Sequence, residues 1–541
     1  MAAQLAAALR SAGTELLFGV PGGGSNLDVV GACEAAGIRF VLVHTETAAA
    51  IMAGVAAELT GTPGACVVTR GPGAASAVNG AAQALLDRQP MILITDCVAD
   101  GERKRVSHQR IDQVPMMAAV TKASLRFGPL DGDLAMAAVD LALSGRPGPV
   151  HIDLDPTIAA EHGAVANDHR RSGDLAPLRP LIRSARRPVI VVGVGTTSLD
   201  SSRRTPFAAA MQRLLATGHI PVLTTYKARG VVDDLGPNAA GVASGATIES
   251  PLLADADLII GIGFDPVELI PAPWSYRAPL VLLGGWAIDD STFFGDHLAG
   301  EVVGDLAELV DHLAGLLSPR WEHGEARRHR TRSIDEINAA VPGDPAGLTP
   351  QQVVNIASAT TPPGTVATVD AGAHMLAAVP LWEANGPGQL LISSGLATMG
   401  FALPAAVAAS LVDPTRHVVC FTGDGGIGMA LAELETLARV RSKVIVVVFN
   451  DSTLSLIAIK QKARDHGGEQ AVKYAPTDFA AVATGCGLRA ERVADAGSYA
   501  QALQRALEHD GPTLLDVSVD PSAYPSLFAA IRGERSVRIA E

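Results

Sequence analysis

The stretch from Gly423 to Thr453 constrains the fold more than any other part of the chain. An apolar run, His417 to Thr422, ends on Gly423-Asp424-Gly425-Gly426. A helix-like segment follows over roughly Met429 to Val440. A second apolar run, Val444 to Phe449, then ends on Asn450-Asp451-Ser452-Thr453. This is the pattern of strand, tight loop, helix and strand. Asp451 follows Asp424 by 27 residues, the span of one such excursion. Both acids are therefore expected at the carboxyl ends of neighbouring parallel strands, where open α/β sheets bind ligands. The glycines let a phosphate approach the backbone, and the helix start adds N–H donors. A diphosphate also calls for a cation, and carboxylate oxygens suit Mg2+. The bland alternative is that Asp424 caps a helix and Asp451 merely ends a strand. An acid at each of two successive strand ends favours the cradle.

The rest of the chain repeats this α/β pattern. At 541 residues it has room for about three domains. Its apolar content of 48% with only 4% aromatics builds cores from Ala, Val, Leu and Ile, which suits parallel sheets covered by helices. Residues 1–157 alternate helices such as Gln4–Ala12, Asn26–Ala36 and the Ala-rich Thr47–Leu59 with strands such as Glu15–Val20, Phe40–Val43 and Ala65–Thr69. A polar linker is expected over 158–178. A second α/β domain spans 179–318. A charged linker runs from Pro319 to Asp335, and a third domain covers 345–541, with a tail from 521 that carries no strong pattern. The expected fold class is α/β, with three doubly wound parallel sheets.

Several function classes are excluded or disfavoured. A net charge of −14 argues against a nucleic-acid footprint. No run approaches the roughly 18 apolar residues of a membrane span, and Met1 to Gly13 reads as a helix with no basic leader. The five cysteines are scattered without a CxxC pair, so neither a zinc site nor a disulfide framework is indicated; reduced thiols and a cytoplasmic location are expected. Gly22-Gly23-Gly24 and the pair Gly193 and Gly195 lack the spacing of a dinucleotide fingerprint, which disfavours a nicotinamide dehydrogenase.

Two further constellations carry chemistry. Glu46 follows the apolar Val41-Leu42-Val43 and opens a helix. A first-turn acid is favourable in any helix, yet a carboxyl flanked by this much apolar sequence also suits proton traffic. Ser394-Gly395-Leu396-Ala397-Thr398-Met399-Gly400 reads as a loop with a gap-filling methionine.

Together these residues resemble the thiamine-diphosphate-dependent enzymes of the acetolactate synthase and pyruvate oxidase group. Motifs in the right order carry the resemblance: Phe18-Gly19-Val20-Pro21-Gly22-Gly23, Glu46, Gly71-Pro72-Gly73-Ala74, Gln109 with Asp112, Gly145-Arg146-Pro147-Gly148-Pro149, Asp370 to His374, Thr398-Met399-Gly400-Phe401 and Gly423-Asp424-Gly425. The resemblance implies that Glu46 bonds the cofactor's aminopyrimidine N1′ and that Met399 wedges the cofactor into a bent shape. It puts the Ala397 backbone at the 4′-amino group. Gly22, Gly71, Ala373, His374, Gly423, Gly425 and Gly426 would lie along the cofactor, and Gln109 would face the substrate. Asp424, Asp451 and the Thr453 carbonyl would hold Mg2+. It also implies a homodimer or homotetramer with active sites between subunits. The activity implied is a carboligase or lyase acting on a 2-oxo acid; a simple 2-oxo-acid decarboxylase and a non-catalytic cofactor-binding paralogue are the alternatives.

The chain also departs from that pattern. Asp451 replaces the usual Asn, and the usual following Gly is absent. The arginine that FAD-binding members carry near Gly263-Phe264-Asp265-Pro266 is missing, which argues against FAD. Lys460 stands where anabolic acetolactate synthases place a tryptophan and His108 where they place a phenylalanine; with Gly23 and Gly24 these form a candidate substrate pocket. The expectation is an acceptor more polar or anionic than 2-oxobutyrate.

Overall fold

The computed structural model describes the whole chain except residues 103, 130–131, 158–173, 270–273, 289–290, 344, 346, 465–466 and 534–541. Three six-stranded sheets follow one another, and every strand pairing within them is parallel. The first holds β1 (Leu16–Val20), β2 (Arg39–Leu42), β3 (Gly64–Val68), β4 (Met91–Asp96), β5 (Ala123–Phe127) and β6 (Pro149–Leu154). The second holds β7 (Pro188–Val192), β8 (Val222–Thr224), β9 (Ala239–Val242), β10 (Leu258–Ile262), β11 (Leu280–Gly284) and β12 (Leu298–Val303). The third holds β13 (Val366–Val369), β14 (Leu390–Ile392), β15 (Val418–Gly423), β16 (Val444–Asn450), β17 (Arg489–Val493) and β18 (Thr513–Ser518). The α/β class with three doubly wound sheets is what the sequence patterns predict. Central strands such as β3, β4 and β10 are buried along their whole length, which is why they read as unbroken apolar runs and not as alternation.

Strand order places the ligand-binding crevices. In the third sheet the order is β14-β13-β15-β16-β18-β17, so the winding reverses between β13 and β15. In the first sheet it reverses between β1 and β3, and in the second between β7 and β10. Ligands bind outside the carboxyl ends of strands at such reversals. Register matters as well: Gly423 pairs with Phe449, so Asp424 and the Asn450-Asp451 pair leave the sheet at the same level.

The chain forms two compact units among the described residues, one comprising Met1–His169 with Val407–Val412 and one comprising Arg170–Ala406 with Asp413–Glu541. The second unit contains the second and third sheets.

Three expectations are corrected. The charged stretch from Pro319 to Asp335 is not a linker: most of it lies in a helix, Glu325–Ala339, that buries Ala326, His329, Ser333 and Ile337. These recur on one face, while the charges between them face solvent. The tail from 521 contains a helix, Tyr524–Arg532, whose Tyr524, Leu527, Phe528 and Ile531 complete the third sheet's core. The helix expected over Met429 to Val440 is two helices, Asp424–Ala430 and Glu433–Val440, so helix begins at Asp424 itself. Of the linker expected over 158–178, residues 158–173 lie outside the described residues. All five cysteines are free thiols. Among the described residues no helix is long and apolar enough to cross a membrane.

Candidate active site

In the third sheet the two acids are brought together by the strand ends. The Asp424 carboxylate accepts hydrogen bonds from the N–H groups of Gly425 (2.6 Å), Asp451 (3.3 Å) and Thr453 (3.2 Å). Asp451 Oδ1 accepts from the Thr453 N–H at 3.0 Å, and its Oδ2 accepts from the Ser455 hydroxyl. Burial raises the Asp424 pKa. Burial, followed by the neighbouring Asp424 charge, pushes Asp451 up to about 7. Two carboxylates that cannot both hold charge cheaply are a donor set suited to a divalent cation. Among the described residues no group of three or more His, Cys, Asp or Glu side chains could hold a metal ion, so a cation here would complete its shell with backbone, phosphate or water oxygens. Thr453 enters the cluster through its N–H, while its carbonyl accepts from the Ser455 N–H at 2.9 Å.

The walls of the crevice are shaped by absent side chains. A Cβ at Gly425 would sit 2.7 Å from Leu454 Cδ2 and 3.4 Å from Met399 Cε. A Cβ at Gly426 would sit 2.2 Å from Asp370 Oδ2. Asp370, buried at the end of β13, accepts from the Phe401 N–H (2.9 Å) and the Thr422 hydroxyl (2.8 Å), and burial pushes it up to about 6. The His374 ring stacks on Phe449 and lies against Gly423. Burial pulls it down to about 4, and its Nε2 is buried without a hydrogen-bond partner. Ala373 is buried beside it. Ala397 holds a left-handed backbone (φ 52°), and Met399 two residues later leans towards Gly425. This cradle fits a diphosphate with a divalent cation: it has a paired acid and, among the described residues, a buried imidazole nitrogen without a partner. Sequence reasoning missed Ser455 and Tyr524. Ser455 follows Asp451 at helical i+4 spacing. The Tyr524 pKa is raised by burial and by the Asp451 and Asp424 charges, which brings the last described helix close to the acid pair.

In the first unit the strand ends again converge. Glu46 opens the helix Glu46–Thr60, whose start is capped by the Thr45 side chain accepting from the Ala48 N–H at 3.2 Å. A Cβ at Gly73 would lie 3.2 Å from Glu46 Oε1. The Gly71 N–H donates to Gln113 Oε1 (2.7 Å), and the Gly71 backbone (φ 66°) lies so close to Gln109 that a Cβ would come within 2.5 Å of its carbonyl oxygen. Gln109 also holds a left-handed backbone (φ 57°), is exposed, and lines a shallow pocket with Asp112, Arg126 and Asp153. Gln113, buried, is the organiser that the sequence pattern did not single out. Its amide nitrogen donates to Asp153 Oδ1 (2.7 Å) and to the Asp96 carbonyl (3.2 Å). Gly22 closes on Thr69 and Asn26, Gly24 caps the helix Ser25–Ala35 beside Asp96, and Gly23 faces open space. His108 is exposed next to Gln109; Lys460 is exposed on the helix Ser455–Ala463 of the other unit.

The second sheet's crevice is filled from within. Glu268 Oε2 accepts from the Val194 N–H (2.7 Å) and its Oε1 from the Thr225 hydroxyl (2.6 Å), tying together the ends of β7, β8 and β10. A Cβ at Gly193 would lie 2.6 Å from that carboxylate. In a dinucleotide site the N–H groups of this turn meet a pyrophosphate. Here a carboxylate already has the place, and Asp265 and Glu301 line the adjoining cavity. The residues present do not fit a dinucleotide's pyrophosphate.

Comparison with known proteins agrees with this geometry. Residues 1–116 match the family model described as thiamine pyrophosphate enzyme, N-terminal TPP binding domain. Residues 175–313 match the central domain of the same enzymes, and 370–517 the C-terminal TPP binding domain. The chain is 30% identical to the acetolactate synthase large subunit of Parasynechococcus marenigrum, over 97% of this chain and 88% of the relative. It is 30% identical to the acetolactate synthase of Arthrospira platensis, over 96% and 94%. It is 29% identical to the catabolic acetolactate synthase of Raoultella terrigena, over 97% and 95%. Matches to all three domains in order, with full-length relatives at this identity, mean that the chain belongs to the thiamine-diphosphate-dependent enzymes of the acetolactate synthase family.

Proposed function

We propose that this enzyme is a carboligase: it decarboxylates a 2-oxo acid and transfers the remaining two-carbon unit to a carbonyl acceptor. The observation that carries the reading is the meeting of Met399 with Gly425 beside the Asp424–Asp451 pair, which joins the wedge and the cation cradle on one sheet edge. Thiamine diphosphate, when bound, supplies a carbon nucleophile and an electron sink. The chain's own residues do the rest. Asp424, Asp451 and the Thr453 carbonyl would hold Mg2+, Gly423, Gly425 and Gly426 would lie along the diphosphate, and His374 and Ala373 would flank it. Glu46 holds a proton at the pyrimidine N1′. Gly22 and Gly71 would lie along the cofactor, the Ala397 backbone would meet the 4′-amino group, and Gln109 would orient the substrate.

No flavin takes part in this reading, because Glu268 fills the central crevice. Lys460, exposed on its helix, would favour an anionic acceptor. Lys460→Ala is expected to raise the KM for an anionic acceptor several-fold; unchanged KM and acceptor preference would refute that role. The overall test is a screen of 2-oxo acids, alone and in pairs, with thiamine diphosphate and Mg2+ and products read by mass spectrometry. Condensed 2-hydroxy-3-oxo acids are expected. Free aldehydes alone would instead make the enzyme a decarboxylase.

A further inference from the structure

The second sheet sends the loop after β8 into the third domain. Tyr226 packs in the third sheet's core. Arg229 and Asp234 form a buried ion pair at 2.6 Å; Arg229 also donates to the Trp382 carbonyl (2.7 Å), and Asp234 accepts from the Ala384 N–H (2.8 Å). Gly230 lies so close to Gly386 that a Cβ would come within 2.0 Å of its carbonyl oxygen. These contacts dock one domain on the other.

Lys227 lies in the same loop but reaches elsewhere. It is only 1% exposed. Its Nζ donates to the Ile392 carbonyl at 3.0 Å and lies 5.9 Å from the centre of the Phe401 ring, within cation–π range. Ile392 ends β14, and Phe401 immediately precedes the next helix, Ala402–Val412. They are the two ends of one loop, 393–400, which carries the left-handed Ala397 and Gly400 and the side chain of Met399. Inside that loop the Thr398 N–H donates to Ser393 Oγ at 3.1 Å. Burying an ammonium is costly. Arg229 and Asp234 already dock the loop on the third domain; Lys227 adds contacts to both ends of the loop 393–400.

We propose that Lys227 is a positioning residue: it clamps both ends of the 393–400 loop and so fixes Met399 against Gly425. The inference rests on the proposed reading that Ala397 and Met399 face the cofactor. A misplacement of about 1 Å at such a site costs on the order of a hundredfold in rate.

The test uses full-length enzyme with thiamine diphosphate and Mg2+. Lys227→Met, Ser393→Ala and the double variant are compared with wild type for kcat, KM and the near-ultraviolet circular dichroism of the bound aminopyrimidine. For Lys227→Met, kcat is expected to fall at least about tenfold with KM within about twofold, and the dichroic band to change. Ser393→Ala is expected to act in the same direction, and the double variant to lose less than the product of the single losses, because both loosen one loop. Wild-type kcat and an unchanged band in Lys227→Met, or strictly multiplicative losses, would overturn the proposal. If Lys227→Met does not fold, Ser393→Ala decides alone, and wild-type kcat there overturns the clamp. A wild-type enzyme with neither turnover nor a cofactor band would instead defeat the functional reading.

Discussion

At the scale of single residues, the site is organised by groups that would be ordinary anywhere else. Asp424 is a first-turn helix acid, but three N–H groups and a second carboxylate converge on it. Glu46 is also a first-turn acid, and what distinguishes it is its neighbour: Gly73 has no side chain, and a Cβ there would come within 3.2 Å of Glu46 Oε1. If Glu46 handles the proton at the pyrimidine, Glu46→Gln keeps the shape and removes the acid–base function. Turnover should then fall by roughly 10²–10⁴, with the thermal midpoint unchanged, since Glu46 is half-buried at a helix start. Steady-state kinetics and a melting curve on the same sample check this; wild-type turnover would remove Glu46 from the mechanism. These residue roles were legible in the sequence only through the motif set. Asp424 and Asp451 emerged from spacing, whereas Gln113 and Tyr524 did not, because their importance comes from which strand ends and helices they meet in space.

At the scale of elements, strands were easier to read than the helices that cover them. β3, β15 and β16 are mostly apolar, and the expected runs match them to within a residue or so. The helix Glu325–Ala339 was hidden by its charge. Its mean composition is that of a linker, and its four buried residues are spaced along one face. That helix joins two cores: Ala326 packs with the second sheet and Ile337, 1% exposed, with the third. Ile337→Ala should therefore cost about 2–5 kcal/mol, read as a lowered midpoint in chemical denaturation. A change below about 0.5 kcal/mol would show the helix to be a solvated connector after all. The helix Tyr524–Arg532 escaped notice for a different reason. It is short, and its apolar face is complete only in Tyr524, Leu527, Phe528 and Ile531 taken together.

At the scale of the whole molecule, one architecture is used three times to different ends. The first sheet's strand ends carry Glu46, the proposed proton-handling acid, and the third sheet's carry the Asp424–Asp451 pair, the proposed cation cradle. The second sheet's crevice is closed by Glu268, and its loop after β8 docks into the third domain. The fold class was readable from the sequence because every domain repeats the same strand–helix alternation. The division of labour was not, because Glu268 looks like any surface acid until the ends of β7, β8 and β10 bring Val194 and Thr225 to it. The proposed assembly is a homodimer or homotetramer with active sites between subunits. Light scattering should give a mass of two or four chains of 55.6 kDa; a monomer with full activity would contradict that assembly. The central claim is that the enzyme joins carbon units and does not merely release CO2. It is tested most directly by incubating the purified enzyme with carbon-labelled pyruvate, thiamine diphosphate and Mg2+, and identifying the products by mass spectrometry. Acetolactate carrying label from two pyruvate molecules is the result predicted; acetaldehyde as the sole organic product, or unconsumed pyruvate, would contradict it.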